Sequence, residues 1–181
     1  MVNSVEDLAA LLQRQKAARI AEGPVNAAVR RDRLQRAIDM LVRHRDALCD
    51  ALDADFGNRP RVVSLTMDVM GAITSLKYAQ KHVARWMKPR HCKGVMPFSL
   101  FGARGWVEYQ PKGVVGILGT WNFPLYTMLA PLAYVLAAGN RSLIKPSELN
   151  PRTAETLARA VQECFDPAEV AVVNGGVDVG R

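Results

Sequence analysis

The chain has 181 residues, 49% apolar and 23% charged, which excludes a disordered polyelectrolyte and leaves enough length to bury one sizeable core. Lysine and arginine outnumber aspartate and glutamate 24 to 17, for a formal charge of +7. Arg30, Arg31, Arg33, Arg36, Arg43 and Arg45 are interspersed with Asp32, Asp39 and Asp46, so the excess reads as a solvated helix surface with no nucleic-acid motif behind it.

Residues 1–88 form a helical segment. Ser4, with Asp7 three positions on, predicts a helix cap ahead of Leu8, Leu11 and Leu12, and Gly23-Pro24 ends that helix. A longer helix follows from about Val25 to Phe56. Leu34, Ile38, Leu41, Val42, Leu48 and Leu52 recur there at three- and four-residue spacing, and Gly57-Asn58 is the stop. A third helix is predicted from Ser64 to Met87. Met67, Met70, Ile73, Leu76, Val83 and Trp86 lie on its apolar side, the methionines as gap-filling core.

Residues 89–112 are loop and edge. Trp106-Val107-Glu108-Tyr109-Gln110 alternates with period two, as a half-exposed edge or hairpin strand does. From 113 to 181 strand and helix alternate. Strands are predicted at 114–118, 142–145 and 170–173. Helices fall at 125–138 and, with Asn150 as cap and Pro151 in the first turn, from Thr153 to Phe165. Short apolar strands joined this way make a parallel sheet buried on both faces. The predicted class is α/β: N-terminal helices, then one βαβαβ half of a doubly wound parallel sheet, within a single unit over 1–181.

Cys49, Cys92 and Cys164 have no paired spacing, and no metal site is expected. Cys49 and Cys164 fall on helices as buried or partly buried thiols, while Cys92, between His91 and Lys93, reads as a surface thiol. No early segment has the form of a signal peptide. The run 125–138 holds Pro131 and is too short to span a bilayer, so a reducing cytoplasm without membrane partners is expected.

Two short motifs carry the chemistry. Trp121-Asn122-Phe123-Pro124 occupies the first strand-to-helix crossover. An asparagine there can aim its side-chain amide and backbone N–H at an oxygen that turns negative during a reaction. It can equally be a turn residue that satisfies local backbone groups. Lys145-Pro146-Ser147-Glu148 ends the second strand. A carboxylate there can accept hydrogen bonds from both hydroxyls of an adenosine ribose, with the ammonium beside it. The alternative is a surface ion pair worth little. Gly113, Gly116 and Gly119 do not make the dinucleotide fingerprint, because only Gly119 reaches the turn after the strand.

These motifs, in this order, resemble the aldehyde dehydrogenase superfamily. Pro111-Lys112-Gly113-Val114-Val115-Gly116 resembles its lead-in strand, Leu136-Ala137-Ala138-Gly139-Asn140 its helix end, and Val172-Val173-Asn174-Gly175-Gly176 the strand and turn that follow. Pro97-Phe98-Ser99-Leu100-Phe101-Gly102 and Asp55-Phe56-Gly57 resemble the coniferyl-aldehyde-dehydrogenase-like branch. The resemblance implies an incomplete cofactor-binding domain. It implies NAD(P)-dependent oxidation of an aldehyde, coniferyl-type or medium-chain, to the carboxylic acid. A homodimer built through a small sheet that the 106–110 strand joins is also implied.

On this resemblance, Asn122 stabilises the oxyanion formed when a cysteine thiolate attacks the aldehyde. Leu118, Gly119, Thr120, Trp121, Lys145, Ser147, Glu148 and Gly176 border the cofactor, Trp121 as a packed aromatic of the cleft. Glu148 should repel a 2′-phosphate, favouring NAD, with NADP possible. Gly175-Gly176, Asp178 and Gly180 begin the helix that flanks the adenine, which a chain ending at Arg181 would leave without one wall. Thr120 and Arg141 depart from the commonest family residues. Stretches resembling the catalytic cysteine loop and the glutamate base do not occur in 1–181, so the chain alone is expected to show no turnover. The competing expectation is a non-catalytic remnant that binds a nucleotide or a partner.

Overall fold

The computed structural model describes residues 5–92, 94 and 96–180, so the expected Ser4 cap and the Lys93 neighbour of Cys92 lie outside the described residues. α1 (Val5–Glu22) ends at Gly23, whose φ of 69° redirects the chain into α2 (Ala27–Phe56). Asn26 caps α2: its Oδ1 accepts from the amides of Ala28 and Val29, both at 3.0 Å. Gly57 closes it in the left-handed conformation.

The expected third helix is not uniform. α3 (Arg61–Val63) passes through a π-helical stretch, Ser64–Met70, into α4 (Gly71–Trp86). The wider π turn shifts the phase of the side chains. Asp68, Val69, Ala72, Leu76, Ala79 and Val83 therefore face the interior, while Met67 and Met70 are 55% and 57% exposed instead of filling the core. β1 (Arg90–Cys92) and β2 (Gly105–Val107) pair antiparallel as a two-stranded ribbon. The expected strand 106–110 is thus shorter, and Trp106, Val107, Glu108 and Tyr109 are all exposed. Its period-two pattern has no buried side to match.

β3 (Val114–Leu118), β4 (Arg141–Lys145) and β5 (Val170–Val172) form a parallel sheet in the order 3-4-5, with α5 (Pro124–Ala137) and α6 (Pro151–Cys164) as crossovers. Ile117, Ile144, Val170 and Val172 face the main core, where α5 and α6 pack beneath an outer layer of α2 and α4. Leu125, Met128, Leu129, Leu132 and Leu136 of α5 are fully buried there, each contributing about 1.5–3 kcal/mol. On the opposite face Leu143, Ala171 and Val173 meet Leu8 and Leu11 of α1. The expected burial on both faces fails at β3: α1 covers this side only in part, and Leu118 stays 64% exposed beside a cleft of about 260 Å³.

The reading of the basic residues as a solvated surface holds for Arg31, Arg43 and Arg45 but needs correction at Arg30, Arg33 and Arg36. Arg33 is 1% and Arg30 6% exposed. Arg33 bonds Glu169 Oε1 at 2.9 Å and Glu22 Oε1 at 2.7 Å, Arg36 bonds Glu169 Oε2 at 2.9 Å, and Arg141 reaches Glu22 Oε2 at 2.8 Å. The network ties α1, α2, β4 and the start of β5 together. Burial pushes the Glu169 carboxyl up, but Arg36 and Arg33 outweigh it and hold the group below its ordinary value. Among the described residues no helix is long and apolar enough to cross a membrane.

Candidate active site

Parallel pairing sets Leu118 opposite Lys145, so β3 and β4 end together. The Gly119 N–H donates to the Lys145 carbonyl at 2.8 Å, and the loops 119–123 and 146–150 then leave from one rim. Gly119 is required by closeness: a Cβ there would lie 2.7 Å from Met128 Sδ and 3.4 Å from Pro146 Cα.

In the first loop Leu118, Thr120, Trp121 and Asn122 are all exposed. Trp121, expected as a packed aromatic, is 58% exposed, because nothing among the described residues covers it. The Asn122 side chain is engaged from behind: the Thr120 hydroxyl lies 2.8 Å from its Oδ1. The Thr120 N–H donates to Thr127 Oγ1 at 3.2 Å, and the Thr127 hydroxyl donates to the Phe123 carbonyl at 2.9 Å.

The loop backbone is held by two residues that the sequence reading missed. Arg59 donates to the Asn122 carbonyl at 3.0 Å and to Asp68 Oδ2 at 2.7 Å. Its guanidinium lies over the rings of Phe56 and Phe123, 4.5 and 5.2 Å from their centroids. Asp68, fully buried, accepts from the Leu125 and Tyr126 amides at 3.1 and 3.2 Å. Burial raises its carboxyl above the ordinary aspartate value even though those amides and Arg59 pull it down. The available signal was a lone carboxylate in register with the apolar positions Ala72, Leu76, Ala79 and Val83.

At the second loop, Lys145 Nζ lies 2.9 Å from Glu148 Oε2 and 3.1 Å from the Pro146 carbonyl. The ammonium is nearly buried and the carboxylate half-exposed. The hydrogen bond from Lys145 holds the Glu148 carboxyl below its ordinary value. The Ser147 hydroxyl accepts from the Leu149 amide at 3.2 Å and fixes the turn. Ser147 and Glu148 open onto a cleft of about 230 Å³ whose far wall includes Glu155, Asn174 and Gly175. Asn174 Oδ1 itself is buried, without a hydrogen-bond partner. Gly176 is exposed and leads into α7 (Val177–Gly180), which packs against the Lys145 stem at Gly180. A carboxylate beside an ammonium at a cleft between strand ends can offer hydrogen bonds to a polar ligand such as a nucleoside.

The helix N-termini, by contrast, are already filled. Phe123 and Asn150, at the cap positions of α5 and α6, make no side-chain cap bonds, and Asn150 therefore does not play its expected role. Asp55 of α2 takes it instead, accepting from the Arg152 and Thr153 amides at 3.1 and 2.8 Å. With carboxylates on both termini, neither helix has free amides for a phosphate, which fits the missing glycine fingerprint.

A family model for the aldehyde dehydrogenase family matches residues 3–181, and the chain belongs to this family. Within it, the chain groups with the coniferyl-aldehyde-dehydrogenase-like branch. It is 47% identical over 175 residues to the coniferyl aldehyde dehydrogenase of Pseudomonas sp. (strain HR199 / DSM 7063), covering 97% of this chain and 36% of that protein. A probable coniferyl aldehyde dehydrogenase of Caulobacter vibrioides is 48% identical over 173 residues, covering 94% and 36%. The fold matches the substrate-bound Staphylococcus aureus AldH with a TM-score of 0.88 at 25% identity, over 96% of this chain and 37% of that one. It matches a Mycobacterium tuberculosis aldehyde dehydrogenase complexed with NAD+ with a TM-score of 0.82 at 26% identity, over 99% and 36%. The chain therefore spans little more than a third of the length of the curated relatives it matches.

Proposed function

We propose that these residues form the cofactor side of an NAD(P)-dependent dehydrogenase that oxidises an aldehyde, coniferyl-type or medium-chain, to the carboxylic acid. The observation that carries this is the shared rim: the Asn122 loop and the Lys145–Glu148 pair leave adjacent parallel strands held in register at Leu118 and Lys145. Asn122 supplies donors to the oxyanion that forms when a thiolate adds to the aldehyde carbonyl. Lys145 and Glu148 bind the adenosine ribose. Leu118, Gly119, Thr120 and Trp121 border the cofactor on one side, and Ser147 and Gly176 on the other. NAD, when bound, would supply the hydride acceptor, and the negative Glu148 disfavours a 2′-phosphate, so NAD is preferred over NADP.

Among the described residues no cysteine lies at this rim. Cys49 is buried in α2, Cys164 ends α6, and Cys92 lies on the exposed ribbon. The isolated 181 residues therefore bind nucleotide without oxidising aldehyde. Calorimetric titration of the chain with NAD and NADP tests the cofactor assignment. Glu148→Gln should weaken NAD binding about tenfold or more, the worth of hydrogen bonds to a charged group, and narrow the gap between NAD and NADP. Unchanged NAD affinity in that variant would overturn the ribose assignment. Steady NADH production from an aldehyde by the purified chain would overturn the proposed inactivity.

The ribbon gives a second element of this reading. Phe98, Leu100, Phe101 and Trp106 are 65%, 73%, 86% and 60% exposed on an arm that packs little against the main core. Such a patch favours contact with a second copy through β2, and a sedimentation series over concentration measures it. The same surface accommodates the alternative of a non-catalytic module that binds a nucleotide or a partner; in its partner-binding form the NAD titration is flat while association persists.

A further inference from the structure

We propose that Thr120 is the positioning residue that fixes which way round the Asn122 amide is presented, with its NH2 group toward the open side of the loop. The inference rests on the oxyanion role proposed for Asn122 and deepens it. An asparagine amide rotated by half a turn shows an acceptor where a donor is needed, and nothing intrinsic to the residue chooses between the two.

The choice is made by the hydroxyl network behind it. Two arrangements are possible on paper. In one, the Thr120 O–H donates to Asn122 Oδ1. In the other, Asn122 Nδ2 donates to Thr120 Oγ1, and the Thr120 proton goes to Thr127 Oγ1. The distances separate them. The contact between Thr120 Oγ1 and Asn122 Oδ1 is 2.8 Å, the commonest length for O–H···O and toward the short end of the N–H···O range. Thr120 Oγ1 to Thr127 Oγ1 is 3.2 Å, long for an O–H···O bond. Thr127 Oγ1 already accepts from the Thr120 N–H and gives its proton to the Phe123 carbonyl, so the Thr120 hydroxyl would have to add a second bond to that oxygen at the long separation. The Thr120 proton therefore goes to Asn122 Oδ1, which turns Nδ2 away from the Thr120 hydroxyl. The Arg59 bond to the Asn122 carbonyl fixes the backbone independently, and the Thr120 hydroxyl engages the side chain.

The test is 15N relaxation of the Asn122 side-chain amide in the 181-residue protein, with exposed Asn58 as internal reference. Thr120→Val keeps the shape and removes the donor; Thr120→Ser keeps the donor. The wild-type Asn122 group should be more ordered than Asn58. In Thr120→Val that difference should vanish, in Thr120→Ser it should persist, and the backbone amides of Leu132 and Leu136 should be unmoved in both. Order retained in Thr120→Val, or a wild-type Asn122 as mobile as Asn58, overturns the proposal. A strong cross-peak between the wild-type Nδ2 protons and the Thr120 side chain overturns it as well. These spectra need no turnover. Failure of the oxyanion role would appear separately, as unchanged aldehyde oxidation when Asn122→Ala is made in an active enzyme that carries these residues together with the nucleophile and base.

Discussion

Asp68 and Leu125 are 57 positions apart in the chain, yet the Asp68 carboxylate accepts the Leu125 amide at 3.1 Å as an adjacent cap residue would. Asp55 serves α6 in the same way through Arg152 and Thr153. Both crossover helices begin with proline, which presets the first turn but supplies no side-chain oxygen. The missing acceptors come from the outer helical layer, and the loop that carries Asn122 is anchored to that layer through Arg59.

Asp68→Ala should be severe. It strands the Arg59 guanidinium, whose side chain is 8% exposed, and uncaps α5. Breaking one partner of a buried pair costs about 3–5 kcal/mol. Urea denaturation should show that loss, and hydrogen exchange at Leu125 and Tyr126 should rise well before exchange at Leu132.

Asp55→Ala and Asn150→Ala make a contrasting pair. A lost cap costs about 1 kcal/mol, and the structure assigns that cost to Asp55. Asn150, although it sits at the cap position, should cost less when replaced. Thermal denaturation of the two variants reads the difference directly, and the reverse order would contradict the cap assignment.

Stability should carry an acid limb from Glu169. Its folded pKa lies below the ordinary value of 4.5, so in that interval the unfolded chain binds more protons than the folded one. The contribution is complete above 4.5 and is lost as pH falls through the folded value. Glu169→Gln should lower stability at neutral pH, by leaving Arg33 short of a partner, and flatten the acid limb. Denaturant midpoints measured from pH 7 to pH 3 check both.

Two helix-ending glycines should respond differently. Gly57 has φ 78° with open space around it, so alanine there costs only the left-handed strain, about 1–2 kcal/mol. Gly139 has φ 81°, and a Cβ would also sit 2.8 Å from the Arg30 guanidinium carbon. Arg30 is held there by bonds to the Val25 and Ala137 carbonyls at 3.1 and 3.0 Å. Gly139→Ala should therefore be the more damaging of the two on chemical denaturation.

The strand and helix order from Val114 to Val172 was legible because buried parallel strands and proline-started helices leave strong local patterns. The rim motifs were legible for the same reason, since each follows directly on a strand. Asp55, Asp68 and Arg59 were not, because their partners lie far along the chain and no local period reports such pairs. Arg33 misled in the opposite direction: its aspartate neighbours suggest a wet face, whereas its actual partners, Glu22 and Glu169, come from other elements. Met67 and Met70 were misplaced because the π-helical turn breaks the period on which the reading depended.

Capping at a distance also bears on what can be inherited as a unit. A gene rearrangement that moved residues 113–181 alone would carry the strands, the proline-started helices and both rim motifs. It would leave behind Asp55, Asp68 and Arg59, so two helices would begin with bare amides and the Asn122 loop would lose its tether. The motifs would survive in the sequence while their geometry did not, which makes Asp55, Arg59 and Asp68 as much a part of the site as the loops they hold.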